Sequence, residues 1–130
     1  MRRISENRRK LNAAAEQLRE AFADEFRVCW VTGEPATDTH EMVRGADRPK
    51  AYGERCAWLR LSRRGHKLIH DNPLDWPIAR QLALKLRWDG DFYDRQRVNV
   101  LRGRAVDAVT SEEVLVWKYS FDGFPVPIRL

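Results

Sequence analysis

The three histidines of the chain lie close together in the sequence, His40 in one segment and His66 and His70 in another. His66 and His70 are four residues apart, so a helix carries both on one face, one turn apart. Imidazole nitrogens bind Zn²⁺ and related transition-metal ions. One histidine from a strand and two from a helix are therefore a candidate three-nitrogen metal site. The alternative is that they are scattered surface residues, since pairs at this spacing arise by chance.

The neighbouring residues exclude a protease-type zinc helix. Such a helix carries Glu directly after its first His and a second His one turn further on. Lys67 follows His66, where the Glu would be needed. His40 is followed by Glu41, but Arg44 stands where the second His would be.

The elements that position these histidines are predicted from local patterns. Two short strands, residues 27–33 and 36–43, are predicted to form a hairpin around a Gly turn, and residues 44–53 read as a loop. Ser62 is the expected N-cap of a short helix that carries His66 and His70. His40 thus lies on a strand and the other two histidines lie on a helix.

Helices are predicted on both sides of this segment. Apolar residues at three- and four-residue spacing indicate an amphipathic helix from Ser5 to about Phe26. The Asp75-Trp76-Pro77 sequence indicates the start of a second helix that continues to Trp88. A third is expected over residues 91–101 and a fourth from Ser111, followed by an extended tail over residues 121–130.

Size and composition favour a single domain without a membrane span. The chain has 130 residues, of which 43% are hydrophobic, and its apolar runs are far shorter than the roughly 20 residues that cross a bilayer. Cys29 and Cys56 are expected to be free thiols, and the five tryptophans are expected in the core rather than on base-stacking surfaces. We expect a cytoplasmic protein without a membrane partner.

Charge gives a weak indication of nucleic-acid binding. The formal net charge is +5, and 19 of the 24 basic residues are Arg. The guanidinium group binds phosphate through paired hydrogen bonds and stays charged. Arg44, Arg63 and Arg64 lie near the histidines in sequence and are candidates to bind a phosphate there, although isolated arginines are more often solvated.

Three segments together resemble the HNH nucleases, whose fold is the ββα-metal, treble-clef-like motif, and particularly their small phage and bacterial members. They are CWVTG (29–33), THEMVRG (39–45) and AWLRLSRRGHKLIH (57–70), roughly a third of the chain. The resemblance implies an α+β fold in which this motif is flanked by an N-terminal helix and two or three C-terminal helices. The corresponding regions are residues 1–27, 28–71, 72–120 and the tail 121–130 of one domain.

The resemblance also implies roles for individual residues. His40 would be the first metal ligand, Glu41 would occupy the general-base position, and His66 and His70 would complete the site. Arg44 would assist catalysis by holding the phosphate. One divalent ion is implied, and three imidazoles suit Zn, Ni, Co or Mn better than Mg.

The chain departs from the family at several positions. Many HNH nucleases bind a structural zinc through two Cys-x-x-Cys pairs, and the corresponding positions are Cys29, Thr32, Ser62 and Gly65. With one thiolate of four, no structural zinc is expected. Ala57 stands in place of a structural Asn.

Glu41 is the most consequential departure, because this position is usually His. A carboxylate is ionised at pH 7 but is a weaker base than imidazole unless burial raises its pKa. Glu41 is either the base of a working nuclease, a fourth metal ligand, or a sign of impaired catalysis.

The expected function is hydrolysis of DNA phosphodiester bonds, for which the family implies 5′-phosphate and 3′-hydroxyl products. The alternatives are a catalytically impaired DNA-binding module and an interaction protein whose histidines bind no metal. Cutting both strands with one site per chain requires two copies, so the sequence allows a homodimer. The expected setting is the cytoplasm of a bacterial host or a phage-infected cell.

Overall fold

The protein is built on a short antiparallel pair of strands and the helix that follows it. A computed structural model describes residues 5–127; residues 1–4 and 128–130, at the ends of the N-terminal segment and the tail, lie outside that range. The helices are α1 (Glu6–Glu25), α2 (Arg63–Asp71), α3 (Ile78–Asp89), α4 (Arg95–Leu101) and α5 (Ser111–Lys118), and the strands are β1 (Asp38–Glu41) and β2 (Trp58–Leu61). This is an α+β arrangement, as expected.

Four short 3₁₀ turns connect these elements, at Gly45–Ala51, Arg55–Ala57, Gly90–Phe92 and Tyr119–Phe121. The first of them occupies most of the expected loop over residues 44–53. Within residues 5–127, no helix is long and apolar enough to span a membrane.

The predicted N-terminal helix is confirmed. The Ser5 hydroxyl accepts a hydrogen bond from the Arg8 amide at 3.2 Å, which caps the first turn. Ala15 and Phe22 are buried on its inner face, while most of the remaining side chains are solvated. The helix therefore packs through a narrow apolar stripe.

The predicted hairpin was wrong in its pairing. Residues 27–33 and 36–43 meet only at one bridge, Val28 with Pro35, and β1 pairs instead with β2, in register His40 opposite Leu59. All four residues of β2 are buried, so this strand lacks the alternation of polar and apolar residues that marks a strand with one solvated face. That is why sequence patterns missed it.

Two of the helices after the sheet, α3 and α4, begin later than expected. Pro77 is itself the N-cap residue of α3, so this helix starts at Ile78. The third predicted helix starts at Arg95 rather than near residue 91, because Asp94 caps the Arg97 amide at 3.0 Å and Gly90–Phe92 forms a separate turn. The Ser62 cap of α2 is confirmed.

Aromatic side chains fill the core between α1, the sheet and α3. Trp30 and Trp88 stack with ring centres 5.7 Å apart, and Phe22 packs edge-on against Trp30. Trp58 and Trp76 are also buried, whereas Trp117 is partly exposed. For the first four tryptophans the prediction of core packing is confirmed.

The start of the tail is packed rather than extended. Phe121 is buried in the last 3₁₀ turn, and Phe124 contacts both it and Trp76. The apolar residues of this segment thus complete the core beside α3.

A buried ion cluster joins α3 to the sheet. The Lys85 ammonium donates to the carbonyls of Arg55 and Trp58 at 2.7 and 2.9 Å and to Asp89 at 2.7 Å. Arg55 binds the same carboxylate through two hydrogen bonds. Every proton of the ammonium is therefore used, as a charge buried this deeply requires.

Candidate metal and phosphate site

The three histidines line one pocket of about 360 Å³, which we call the histidine pocket. Strand side chains alternate between faces, so Asp38 and His40 share a face of β1, and α2 brings His66 to it. The ring centres of His40 and His66 are 4.9 Å apart. The sequence-predicted residues His40, Glu41, Arg44, His66 and His70 all line this pocket.

His40 is held in a single tautomer. The Gln81 amide nitrogen donates to the Trp76 carbonyl at 3.0 Å, which directs its oxygen to His40 Nε2 at 2.9 Å. Since that oxygen only accepts, Nε2 carries the proton and Nδ1 keeps its lone pair. Burial lowers the pKa of His40 to about 4, more than the hydrogen bond to Gln81 raises it. His40 is therefore neutral at pH 7, the form that binds metals.

Carboxylates orient the other two histidines. His66 Nδ1 donates to Asp38 Oδ2 at 3.0 Å, and His70 Nδ1 donates to Asp71 Oδ1 at 3.1 Å. The Nε2 atom of each ring is left without a hydrogen-bond partner among the residues that the structure describes. A carboxylate on the second ring nitrogen is the usual support of a metal-binding histidine.

Asp38 is itself kept ionised. Burial raises the pKa of its carboxyl, but hydrogen bonds from His66 and Thr37 and the nearby charge of Arg63 lower it by more, so the pKa lies below its ordinary value. An ionised Asp38 holds the proton of His66 on Nδ1.

The donor set fits a transition-metal ion. Two imidazoles that bind one ion at about 2.0–2.1 Å have ring centres about 5 Å apart, which the His40–His66 separation matches. Across residues 5–127, no three His, Cys, Asp or Glu side chains are already grouped closely enough to hold an ion. The rings must therefore shift to bind a metal together.

Glu41 lies on the opposite face of β1 from His40 and is not a free base. Arg48 binds Glu41 Oε2, and Arg19 Nη2 lies 3.0 Å from Oε1. The Glu41 side chain is only 7% exposed. For Glu41 to accept a proton from water, Arg48, whose own side chain is mostly exposed, must first move away.

The three predicted phosphate-binding arginines occupy different environments. Arg44 is exposed, lines the histidine pocket and has no ion-pair partner in the described range. Arg63 Nε lies 3.3 Å from Asp38, beside His66. Arg64 instead binds Glu34 at 2.8 Å and does not line the pocket.

Cys29, Thr32, Ser62 and Gly65 lie together at the junction of the Gly33 turn and α2. The Thr32 amide donates to Cys29 Sγ at 3.4 Å, and the hydroxyls of Thr32 and Ser62 are 3.2 Å apart. A Cβ atom on Gly65 would lie 2.6 Å from Cys29 Sγ. Burial raises the pKa of the Cys29 thiol, but hydrogen bonds from Thr32 and Ser62 lower it by more. We call these four residues the polar junction.

Ala57 is fully buried at the start of β2, where its carbonyl accepts from the Met42 amide at 2.8 Å. The backbone at this position therefore extends the pairing between the two strands.

Sequence reasoning missed several residues of the site. Asp38 could have been found, because it stands two residues before His40 and so shares its strand face. Gln81 carried no local signal, since it comes from α3, forty-one residues along the chain. Arg48 was assigned to a solvated loop but pairs with Glu41 at the pocket.

Comparison with known proteins identifies no family for this chain. No protein-family model matches this chain, and neither the curated proteins nor the solved structures contain a significant match. The function must therefore be argued from the histidine pocket itself.

Proposed function

We propose that the protein is a metal-dependent endonuclease of HNH type that hydrolyses DNA phosphodiester bonds. One observation carries the proposal: three imidazoles in one pocket each have one ring nitrogen fixed by a hydrogen bond and the other without a partner in the described range. The chain order β1, β2, α2 around them supports the proposal, because it is the order expected of a ββα-metal motif. The basic composition of the chain suits a polyanionic substrate.

His40, His66 and His70 would hold the ion. A bound divalent ion stabilises charge on a phosphate oxygen and on the leaving oxygen in such reactions. Asp38, Asp71 and Gln81 would keep the three rings in the tautomers that bind a metal.

Arg44 and Arg48 bind the phosphate in this proposal. Both line the histidine pocket, and both are exposed enough to turn toward a ligand. When Arg48 binds the phosphate, it leaves Glu41, whose Oε2 then accepts a proton from the attacking water. Substrate binding and release of the base are thus linked through one arginine.

Plasmid nicking tests the proposal. We expect wild-type protein supplied with Mn²⁺, Ni²⁺, Zn²⁺ or Mg²⁺ to nick supercoiled DNA, and His66→Ala to lose the activity. Lys67→Ala, an exposed neighbour on α2, is the matched control and should keep it. Equal activity of wild type and His66→Ala would contradict the proposal.

A second candidate is a DNA-binding module that has lost catalysis. The ion pairs of Glu41 with Arg19 and Arg48 favour it, because they give this carboxylate a structural role. The variant Glu41→Gln separates the two. Loss of a general base slows cleavage by about 10²–10⁴-fold, with metal binding unchanged. Wild-type protein that binds DNA and metal but cuts with none of the four ions would support the module.

A further inference from the structure

A second groove opens beside the histidine pocket. Its volume is about 400 Å³, and it lies between the α2–α3 connection and the end of α4. Arg44 and His70 line both cavities, so the groove continues directly from the candidate metal site. Arg102 and Arg104 form its far wall. We call it the arginine groove.

The arginines of this groove are unusual in having no partner. Most arginines in residues 5–127 donate to a carboxylate or a carbonyl; Arg55, for example, binds both Glu25 and Asp89. Within the same range, the side chains of Arg44, Arg102 and Arg104 make no hydrogen bond or ion pair. Asp47 also lines the groove, but its carboxylate is paired with Lys50 at 3.2 Å. The groove therefore has three arginines against one carboxylate, an excess of positive charge.

The backbone holds Arg102 and Arg104 in place. Gly103 between them adopts a φ of +74°, which favours glycine, and the Arg104 amide donates to the Asn99 carbonyl at 2.9 Å. The buried Asn99 side chain binds the carbonyls of Val106 and Val109 and the Val109 amide. The turn that carries both arginines is thus fixed before any ligand binds.

The floor of the groove is apolar and includes Trp76, Pro77 and Ile78. Guanidinium groups above an apolar floor match a nucleotide, whose phosphate is anionic and whose sugar has an apolar face. A free divalent cation would be repelled, and a purely apolar ligand would leave the arginines unpaired.

We infer that the arginine groove binds the DNA strand next to the bond that is cut, with Arg102 and Arg104 contacting a neighbouring phosphate. The inference rests on the proposed nuclease function, since it takes the histidine pocket as the place of cleavage. The inference assigns DNA binding to the turn after α4, which lies outside the strand–strand–helix segment.

Binding measured without cleavage tests the groove. Fluorescence anisotropy of a labelled 20-base-pair duplex is followed in EDTA, at several KCl concentrations, with wild type, Arg102→Gln and Arg104→Gln. Each lost phosphate contact reduces the slope of log K against log salt by about 0.9, so we expect that reduction and about tenfold weaker binding. Arg27→Gln, an exposed arginine outside both cavities, should bind as wild type.

The outcomes separate the two proposals. If wild type cuts DNA and both groove variants bind and cut like Arg27→Gln, the groove inference is wrong and the nuclease stands. If wild type cuts nothing, but Arg104→Gln binds with a reduced salt slope, the nuclease proposal fails, and of the groove inference only the DNA contact stands. Arg104 is exposed, so its variant keeps the fold, which thermal unfolding verifies.

Discussion

At the scale of single residues, the site depends on which nitrogen of each imidazole carries the proton. Three different partners decide this: an amide oxygen for His40 and carboxylates for His66 and His70. The His40 partner differs because its ring is buried, where a neutral amide costs less to bury than a carboxylate. The histidine that comes from the strand is therefore oriented by α3.

Gln81→Leu should weaken metal binding without removing a ligand. The change deletes the acceptor for His40 Nε2–H, so the ring loses its fixed tautomer and orientation. Such supporting partners contribute about 10–100-fold in metal affinity. Titration calorimetry with Zn²⁺ measures the effect, and His40→Ala gives the loss of a complete ligand for comparison. An unchanged affinity in Gln81→Leu would show that Gln81 only fills the core.

At the scale of elements, the polar junction determines how closely α2 approaches the Gly33 turn. Gly65 lies in the first turn of α2 and is buried against Cys29. The absence of a side chain at Gly65 lets the helix reach the turn, while the Ser62 hydroxyl caps it at 3.0 Å. The orientation of His66, one residue further on, follows from this contact.

Gly65→Ala should therefore destabilise the protein. The added Cβ would lie 2.6 Å from Cys29 Sγ, and overpacking of a buried site costs about 1–3 kcal/mol. Gly90→Ala is the matched control, because its Cβ would make only an ordinary contact at 3.9 Å, and it should be neutral or slightly stabilising. Urea unfolding compares the two. Equal stability of both variants would mean that the junction adjusts without strain.

Some of these elements could be predicted from the sequence, and others could not. Helices α1, α2 and α5 were predictable because their signals are local: Ser5 and Ser62 cap the first two, and α5 starts at Ser111 as expected, beside a cap on Thr110. The pairing of β1 with β2 was not predictable, since β2 is buried on both faces and comes after the long 3₁₀ connection.

The candidate site also contains residues that could be predicted from the sequence and residues that could not. The three histidines were expected to lie together, and the structure brings them into one pocket. Gln81 comes from α3, and Arg102 and Arg104 come from the turn after α4; the position of these segments beside the histidine pocket is not encoded in any short pattern. Tertiary contacts therefore add the residues that surround the histidines.

At the scale of the whole molecule, one buried charge cluster connects three parts of the chain. Arg55 binds Glu25 at the end of α1 and Asp89 on α3, and Lys85 binds the same Asp89. Burial lowers the pKa of Lys85 to about 8, because it outweighs the attraction of Asp89. The neighbouring Cys56 thiol has its pKa raised to about 11, mainly by burial.

Stability should therefore rise with pH through this lysine. The folded protein releases the Lys85 proton near pH 8, whereas an unfolded chain releases it near about 10.4. Between these values the unfolded chain binds more protons, so the free energy of unfolding increases with pH. Relative to Lys85→Met, wild type should gain about 1 kcal/mol between about pH 7.5 and 9.

Urea unfolding of both proteins at several pH values measures this gain. The comparison cancels the contributions of titratable groups that do not interact with Lys85. A stability difference that stays constant across this pH range would mean that Lys85 remains charged in the folded protein.

The polar junction also has a consequence for the supply of metal in the cell. Hydroxyl and amide groups of Thr32 and Ser62 hold α2 against the Gly33 turn, and none of these bonds depends on a thiolate–metal bond. Chelators that dismantle thiolate–zinc sites should therefore leave this contact intact. Under the proposed function, the scaffold would form first and acquire its ion later, so that metal availability would control activity rather than folding.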